Sequence, residues 1–294
     1  MNLEESLLAQ CHFAPRGHEV DLAVSGGPDS LGLLLLARAA GLVARVHHVD
    51  HHARATSGQE AERVRALCAE LNVPFTLHDV TVEPGTNFEA RARAARRAVL
   101  PAGVLTGHTM DDLAETVLLN MMRGAGLDGL SPMIGDPTKP LIDVRRNDLH
   151  YLVAGSSLQP IYDETNESPD FRRNRVRHEL LPVLCDVAGR DVVPLLARQA
   201  ALVHEDRAWL DVISGPDLAR ELEDVDCREL RAWPSARLRR WLRTQLSRDD
   251  ADGVHSPSSE EIERALGVVR GDVVATELTG KKRLSRSAQR LTLE

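Results

Sequence analysis

Aromatic residues are scarce: phenylalanine, tryptophan and tyrosine together make up 3% of the 294 residues. The core is therefore expected to be built from leucine, valine and alanine. Paired cysteines are missing too. Cys11, Cys68, Cys185 and Cys227 are scattered with no C-x-x-C, which excludes a disulfide framework, a thiolate zinc site and a cluster-binding motif. Long apolar runs are absent, since the longest uncharged one, Leu31 to Ala37, is too short to span a bilayer. Met1 to Gln10 carries Glu4 and Glu5 without a basic region, so no secretory signal is expected and the expected location is cytoplasmic, away from membranes. Nor is there a positive excess. A formal net charge of −8 argues against a surface uniformly coated for nucleic acid.

What is present reads as an ordinary globular chain, 43% hydrophobic and 27% charged, with length enough for two domains. Positive charge is clustered rather than spread: Arg91, Arg93, Arg96 and Arg97; Arg172, Arg173, Arg175 and Arg177; Arg237, Arg239, Arg240 and Arg243; and Lys281, Lys282, Arg283, Arg286 and Arg290. Each cluster alone fits a solvated helix face; four of them make local phosphate binding credible.

Strand-like and helix-like segments alternate. Val20–Val24, Leu42–Val49, Val73–Val80 and a short Gly103–Gly107 read as strands; Leu31–Ala40, Ser57–Leu71, Asn87–Leu100 and Asp111–Arg123 read as helices. Such alternation predicts an α/β fold with a doubly wound, mainly parallel sheet. Ligands in these sheets bind beyond the carboxyl ends of the strands. Ser25–Ser30, His48–His51 and Gly107–Asp112 all fall there, so they are expected to share one crevice.

Ser25-Gly26-Gly27-Pro28-Asp29-Ser30 links the first strand to the first long helix. Unpaired N–H groups at such a turn make a phosphate cradle. Both glycines are expected to reach positive φ, and Asp29 or Ser30 to cap the helix. There is no Gly-Lys-Ser/Thr ending and no G-x-G-x-x-G. A second group, Asp112 and Glu115, lies three residues apart on a helix and so shares a face at its first turn. Two carboxylates there could hold Mg²⁺ against a triphosphate. Val46 to His52 carries four histidines around Asp50, but strand alternation sends His47 away from His48 and Asp50. A strand-end role or plain exposure is preferred there to a metal site.

The hexapeptide resembles the Ser-Gly-Gly-x-Asp-Ser loop of the PP-loop ATP pyrophosphatases. Gly107-His108-Thr109-Met110-Asp111-Asp112-Leu113-Ala114-Glu115-Thr116, followed by Met122 to Leu130, is similar to the tRNA(Ile)-lysidine synthetase family. So are Asn87-Phe88-Glu89 with Arg93 and Arg96, Pro140-Leu141-Ile142, Asp163 to Asn166, and Arg173-Asn174-Arg175-Val176-Arg177 through Pro182. The sequence departs from the family pattern at His52, Arg97, Lys139 and Glu164.

The resemblance implies an enzyme that uses ATP and Mg²⁺ to adenylate the wobble cytidine of a CAU-anticodon tRNA(Ile), after which L-lysine displaces AMP. It places ATP or pyrophosphate at Ser25, Gly26, Gly27, Pro28, Asp29, Ser30, Asp50, His51, Gly107 and His108, and Mg²⁺ at Asp29, Asp112 and Glu115. Asp112, Glu115, Arg173 and Arg177 are the expected catalytic group, with Asp112 or Glu115 also a candidate base for the lysine amine. Arg93, Arg96, Asn174 and Arg175 are expected to meet the adenylate or the tRNA. Residues 1–187 would form the catalytic domain, 188–214 a linker helix broken at Ser214-Gly215-Pro216, and 215–294 a smaller α+β tRNA-binding domain. A homodimer is one expectation for the assembly. The rival readings are a thiolating PP-loop enzyme, which the unpaired cysteines disfavour, and a non-catalytic ATP-binding module.

Overall fold

The computed structural model describes residues 2–50, 57–81, 88–161, 172–250, 253–255, 257–280 and 282–294. They form two compact units, Met1–His204 and Glu205–Glu294, whose boundary falls inside a helix. The first unit runs α1 (Leu3–Leu8), β1 (Glu19–Ala23), α2 (Pro28–Ala39), β2 (Val43–Asp50), α3 (Ser57–Glu70), β3 (Phe75–Asp79), α4 (Phe88–Val99), α5 (Met110–Met122), α6 (Leu127–Leu130) and α7 (Arg146–Ala154). After the undescribed stretch come α8 (Arg172–Arg175), a π-helical turn (Val176–Leu180), α9 (Leu181–Ala188) and α10 (Val193–Leu218).

The three strands are parallel in the order β1-β2-β3, with Leu22 beside Val46 and His47 beside Thr76. The expected fourth strand, Gly103–Gly107, is reduced to a single parallel bridge, Leu22 to Leu105. Leu105 exchanges bonds with Asp21 and Ala23, but Thr106 N–H turns away to Thr138 O at 3.0 Å. The left-handed Gly103 bends the chain just before the bridge, which leaves room for one rung. β1 thus has β2 on one side and the Leu105 segment on the other. That reversal of direction is the switch point at which such sheets bind ligands.

Helix α2 is apolar almost all round because it is covered on both sides. Leu31, Leu33, Leu34 and Leu36 are fully buried with Leu22 and Val46 of the sheet and Leu141, Val144 and Leu149 beyond it. As expected, this core is aliphatic. Gly32 permits the close approach: a Cβ there would lie 2.4 Å from the Leu149 side chain, so α7 lies directly against α2.

In the second unit, α11 (Cys227–Ala232) and α12 (Ser235–Leu246) are separated at Trp233-Pro234. They are followed by the antiparallel pair β4 (Arg248–Asp250) and β5 (Gly253–His255), α13 (Ser259–Arg270), and the antiparallel sheet β6 (Ala275–Leu278), β7 (Lys282–Ser287), β8 (Arg290–Leu293). This core departs from the all-aliphatic expectation: Trp241 is fully buried and meets Trp233 edge-on at 6.0 Å. Leu284 and Leu291 face inward.

Helix α10 does not break at Ser214-Gly215-Pro216 but continues to Leu218. Proline deletes one backbone donor and bends a helix without having to end it, and Leu218 beyond it packs on the second core.

Candidate active site

The loop after β1 has one left-handed residue, Gly26 (φ 91°), not two. Gly27 is extended (φ −71°) and is itself the N-cap of α2, with Pro28 in the first helical turn. Neither Asp29 nor Ser30 caps the helix; both lie within its first turn. The Ser30 hydroxyl instead closes the turn, accepting from Gly26 N–H at 3.2 Å and donating to Gly27 O at 2.9 Å. This frees the helix N-terminus to face a cavity of about 620 Å³ lined by Ser25, Gly27, Pro28, Asp29, Ser30, Gly107, His108, Asp112 and Arg177, with Arg96 also at its wall. Gly107 is required where it is, because a Cβ would stand 2.6 Å from Asp29 O. The segments after β1 and after the Leu105 bridge therefore touch backbone to backbone.

Thr109 caps α5, its N–H and hydroxyl both donating to Asp112 Oδ2, at 2.8 and 2.9 Å. Asp112 Oδ1 accepts from Arg146 at 2.8 Å and from Arg173 at 3.2 Å. Glu115 is fully buried and accepts from Arg146 (2.8 Å) and Arg177 (2.7 Å) on Oε1, and from Arg173 (2.8 Å) and Arg177 (3.2 Å) on Oε2. Burial by itself would raise the Asp112 carboxyl, but Arg146, Arg173 and the Thr109 N–H outweigh it and hold the group at about 2. Glu115 is likewise lowered against its burial, by Arg177 and Arg146.

Helix α8 and the π turn after it bring Arg173 and Arg177 onto one carboxylate. Leu181 N–H reaches back to Val176 O, and Pro182, lacking an N–H, cannot complete an ordinary ladder there. Such wide turns recur at functional sites. Arg175, on the outer side, pairs with Glu179 at 3.0 Å, while Asn174 is buried.

Two residues that sequence reasoning missed lie on α7. His150 Nε2 is 2.8 Å from Asp29 Oδ1, and Arg146 bonds Asp112 and Glu115 while its Nε lies 3.6 Å from Asp29 Oδ2. They are four apart and so share a helix face. That spacing is visible in the sequence, but nothing connects it to the loop until α7 docks on α2. Lys139, one of the departures, donates to Thr106 at 2.9 Å and Thr138 at 3.0 Å, holding the Leu105 segment in place.

Asp50 is buried at the end of β2. His48 bonds Val24 O at 2.8 Å, while His47 joins Asp21 and His78, each at 2.9 Å. His51, Asn87, Asp163 to Asn166 and the side chain of Arg93 lie outside the described residues.

As metal ligands, the expected residues divide. Every oxygen of Asp112 and Glu115 already accepts two N–H or O–H groups, so this pair does not fit a cation. Asp29 does: its carboxylate is 35% exposed and lines the cavity. Among the described residues no three His, Cys, Asp or Glu side chains converge on a metal position.

A parallel sheet whose first strand feeds a Ser-Gly-Gly-Pro-Asp-Ser turn into a helix N-terminus at the switch point defines a PP-loop nucleotide-binding domain, and the PP-loop domain family model matches residues 3–184. The U34-tRNA thiolase NcsA from Methanococcus maripaludis shares this fold, with a TM-score of 0.56 over 69% of this chain and 78% of that one at 15% identity. The tRNA(Ile)-lysidine synthase of Thermobifida fusca is 39% identical over 80% of this chain and 76% of its own length. That of Rhodococcus opacus is 37% identical over 88% and 82%, and that of Gloeobacter violaceus 33% over 91% and 87%. The chain belongs to the tRNA(Ile)-lysidine synthase family.

Proposed function

We propose that the protein is an ATP-dependent ligase that forms lysidine on tRNA(Ile), joining L-lysine to the wobble cytidine of the CAU anticodon. The observation that carries the reading is one cavity in which the Gly26 turn, the α2 N-terminus, Asp29 and Arg177 face each other, with Arg173 beside Arg177 on Glu115. Amides at the helix N-terminus receive the triphosphate. The cytidine C2 oxygen attacks the α-phosphorus and pyrophosphate departs. The lysine ε-amine then adds at C2 and loses a proton, and AMP leaves with the former C2 oxygen. Positioning and charge neutralisation supply most of the rate in such transfers.

Arg173 and Arg177, aimed by Glu115, present guanidinium edges to the adenylate or to tRNA phosphate. With both carboxylates occupied by arginines, Asp112 and Glu115 orient cations in this reading. A magnesium ion entering with the nucleotide would be held by Asp29 and would neutralise the departing pyrophosphate. Work on tRNA implies a cytoplasmic protein, and among the described residues no helix is long and apolar enough to cross a membrane. A homodimer is the expected assembly, to be read by sedimentation.

The test is purified protein with ATP, Mg²⁺, labelled lysine and a CAU-anticodon tRNA(Ile). The tRNA should acquire label stable to mild alkali, and the label should vanish when the wobble cytidine is changed to uridine. Alkali-labile label, or pyrophosphate release indifferent to tRNA, would overturn the assignment.

A further inference from the structure

The guanidinium of Arg146 is fixed at both ends of its plane. One terminal nitrogen bonds Glu115 Oε1 and the other Asp112 Oδ1, each at 2.8 Å, and its backbone N–H bonds Asp111 at 2.8 Å. The third nitrogen, Nε, is buried and its N–H has no hydrogen-bond partner among the described residues. Asp29 Oδ2, at 3.6 Å, is beyond hydrogen-bond length. An unpaired buried donor on a charged group is costly and rarely tolerated without a use.

Nor is Arg146 needed to neutralise the α5 carboxylates. Arg173 and Arg177 already contact both Asp112 and Glu115, so the third guanidinium is left to the Asp29 side of the group. There it stands at the wall of the cavity that contains the Ser25–Ser30 loop. Docking of α7 on α2 through Gly32 and Leu149 sets the distance.

We propose that Arg146 is a phosphate-binding residue of the nucleotide site, its Nε–H taking an oxygen of the ATP triphosphate. The proposal deepens the function given above and rests on it only as far as ATP binding. With its two terminal nitrogens immobilised, the donor is aimed before the ligand arrives, so little ordering accompanies binding. The bond is charge-assisted, and it is made by a buried guanidinium.

The experiment is calorimetric titration of the full-length protein with ATP and, separately, with adenosine, without tRNA or lysine. It is carried out on wild type, Arg146→Lys and Arg146→Gln, with thermal melts alongside. Both replacements keep a polar head for Asp112 and Glu115, and neither offers a donor at the Nε position. ATP affinity should fall about tenfold to a hundredfold in each, with adenosine affinity unchanged. Wild-type ATP affinity in the variants, or an equal loss for ATP and adenosine, would overturn the proposal and leave Arg146 a purely structural residue. Lysidine formation is measured separately, so a wild type that binds ATP but modifies no tRNA would sink the ligase reading and leave the Arg146 result standing.

Discussion

At the scale of single residues, the site separates carboxylates that face the cavity from carboxylates that hold arginines. Asp29 is of the first kind, lining the cavity and touching His150. Asp29→Ala should cut tRNA-dependent AMP formation by the ~2.7–4 kcal/mol typical of removing one oriented group from a reacting centre, while the melting temperature holds. Turnover at the wild-type rate would remove the loop from the mechanism. Glu115 is of the second kind, and Glu115→Gln replaces a charge that three guanidiniums share. Breaking such a buried set costs about 3–5 kcal/mol, so the variant should melt earlier while its half-saturating Mg²⁺ stays where it was. A displaced Mg²⁺ titration would instead put the cation on Glu115, as the sequence suggested.

Elements show the same logic in their packing. The segment preceding α5 reaches the loop only because Gly107 has no side chain, its would-be Cβ lying 2.6 Å from Asp29 O. Gly107→Ala should therefore push the two apart, costing about 1–3 kcal/mol by overpacking and weakening ATP binding. Unchanged ATP affinity on calorimetry would count against this coupling. In the second unit, α13 starts with a reciprocal cap in which Ser258 Oγ accepts from Glu261 N–H at 3.2 Å and Glu261 accepts from Ser258 N–H at 2.9 Å. Glu261 also accepts from Thr279 N–H at 2.6 Å, tying helix to sheet. The Thr279 and Ser258 amides hold its carboxyl at about 2, below the ordinary 4.5. A lowered acid stabilises the fold above its ordinary value and loses that contribution as the pH falls toward the folded value. Glu261→Gln should thus cost about 1–2 kcal/mol at neutral pH, the gap to wild type closing between pH 4.5 and about 2 in denaturant titrations. A constant gap would assign the effect to shape rather than charge.

For the whole molecule, the question is how an acidic protein meets tRNA. The arginine clusters differ once their partners are known. Arg239 pairs with Glu263 at 2.7 Å and Arg240 with Asp211, so half of that cluster is already neutralised. Lys282 and Arg283 stand exposed on β7, Arg283 with Glu277 at 3.8 Å. If they touch tRNA phosphate, changing both to glutamine should reduce the slope of log affinity against log salt by about 0.7–0.9 for each phosphate no longer neutralised. ATP affinity should stay put. An unaltered slope in filter binding would make them solvated surface.

The sequence by itself determined the parallel α/β fold, the loop and the motif helix, because each is written in local pattern: a strand, two glycines and an apolar helix, then carboxylates three apart. It also carried the aliphatic core of the first unit. Only the tertiary structure decided what those groups face. That Asp112 and Glu115 bind arginines rather than open space depends on α7 and the Val176–Leu180 turn, which lie 31 to 62 residues away in the chain. Arg146 and His150 reach the loop because Gly32 lets Leu149 settle on α2. Leu105 gains one rung rather than a strand because Thr106 is claimed by Thr138. Local propensity carries no information about such partners; long-range packing assigns them, and with them the charge that each acidic group meets.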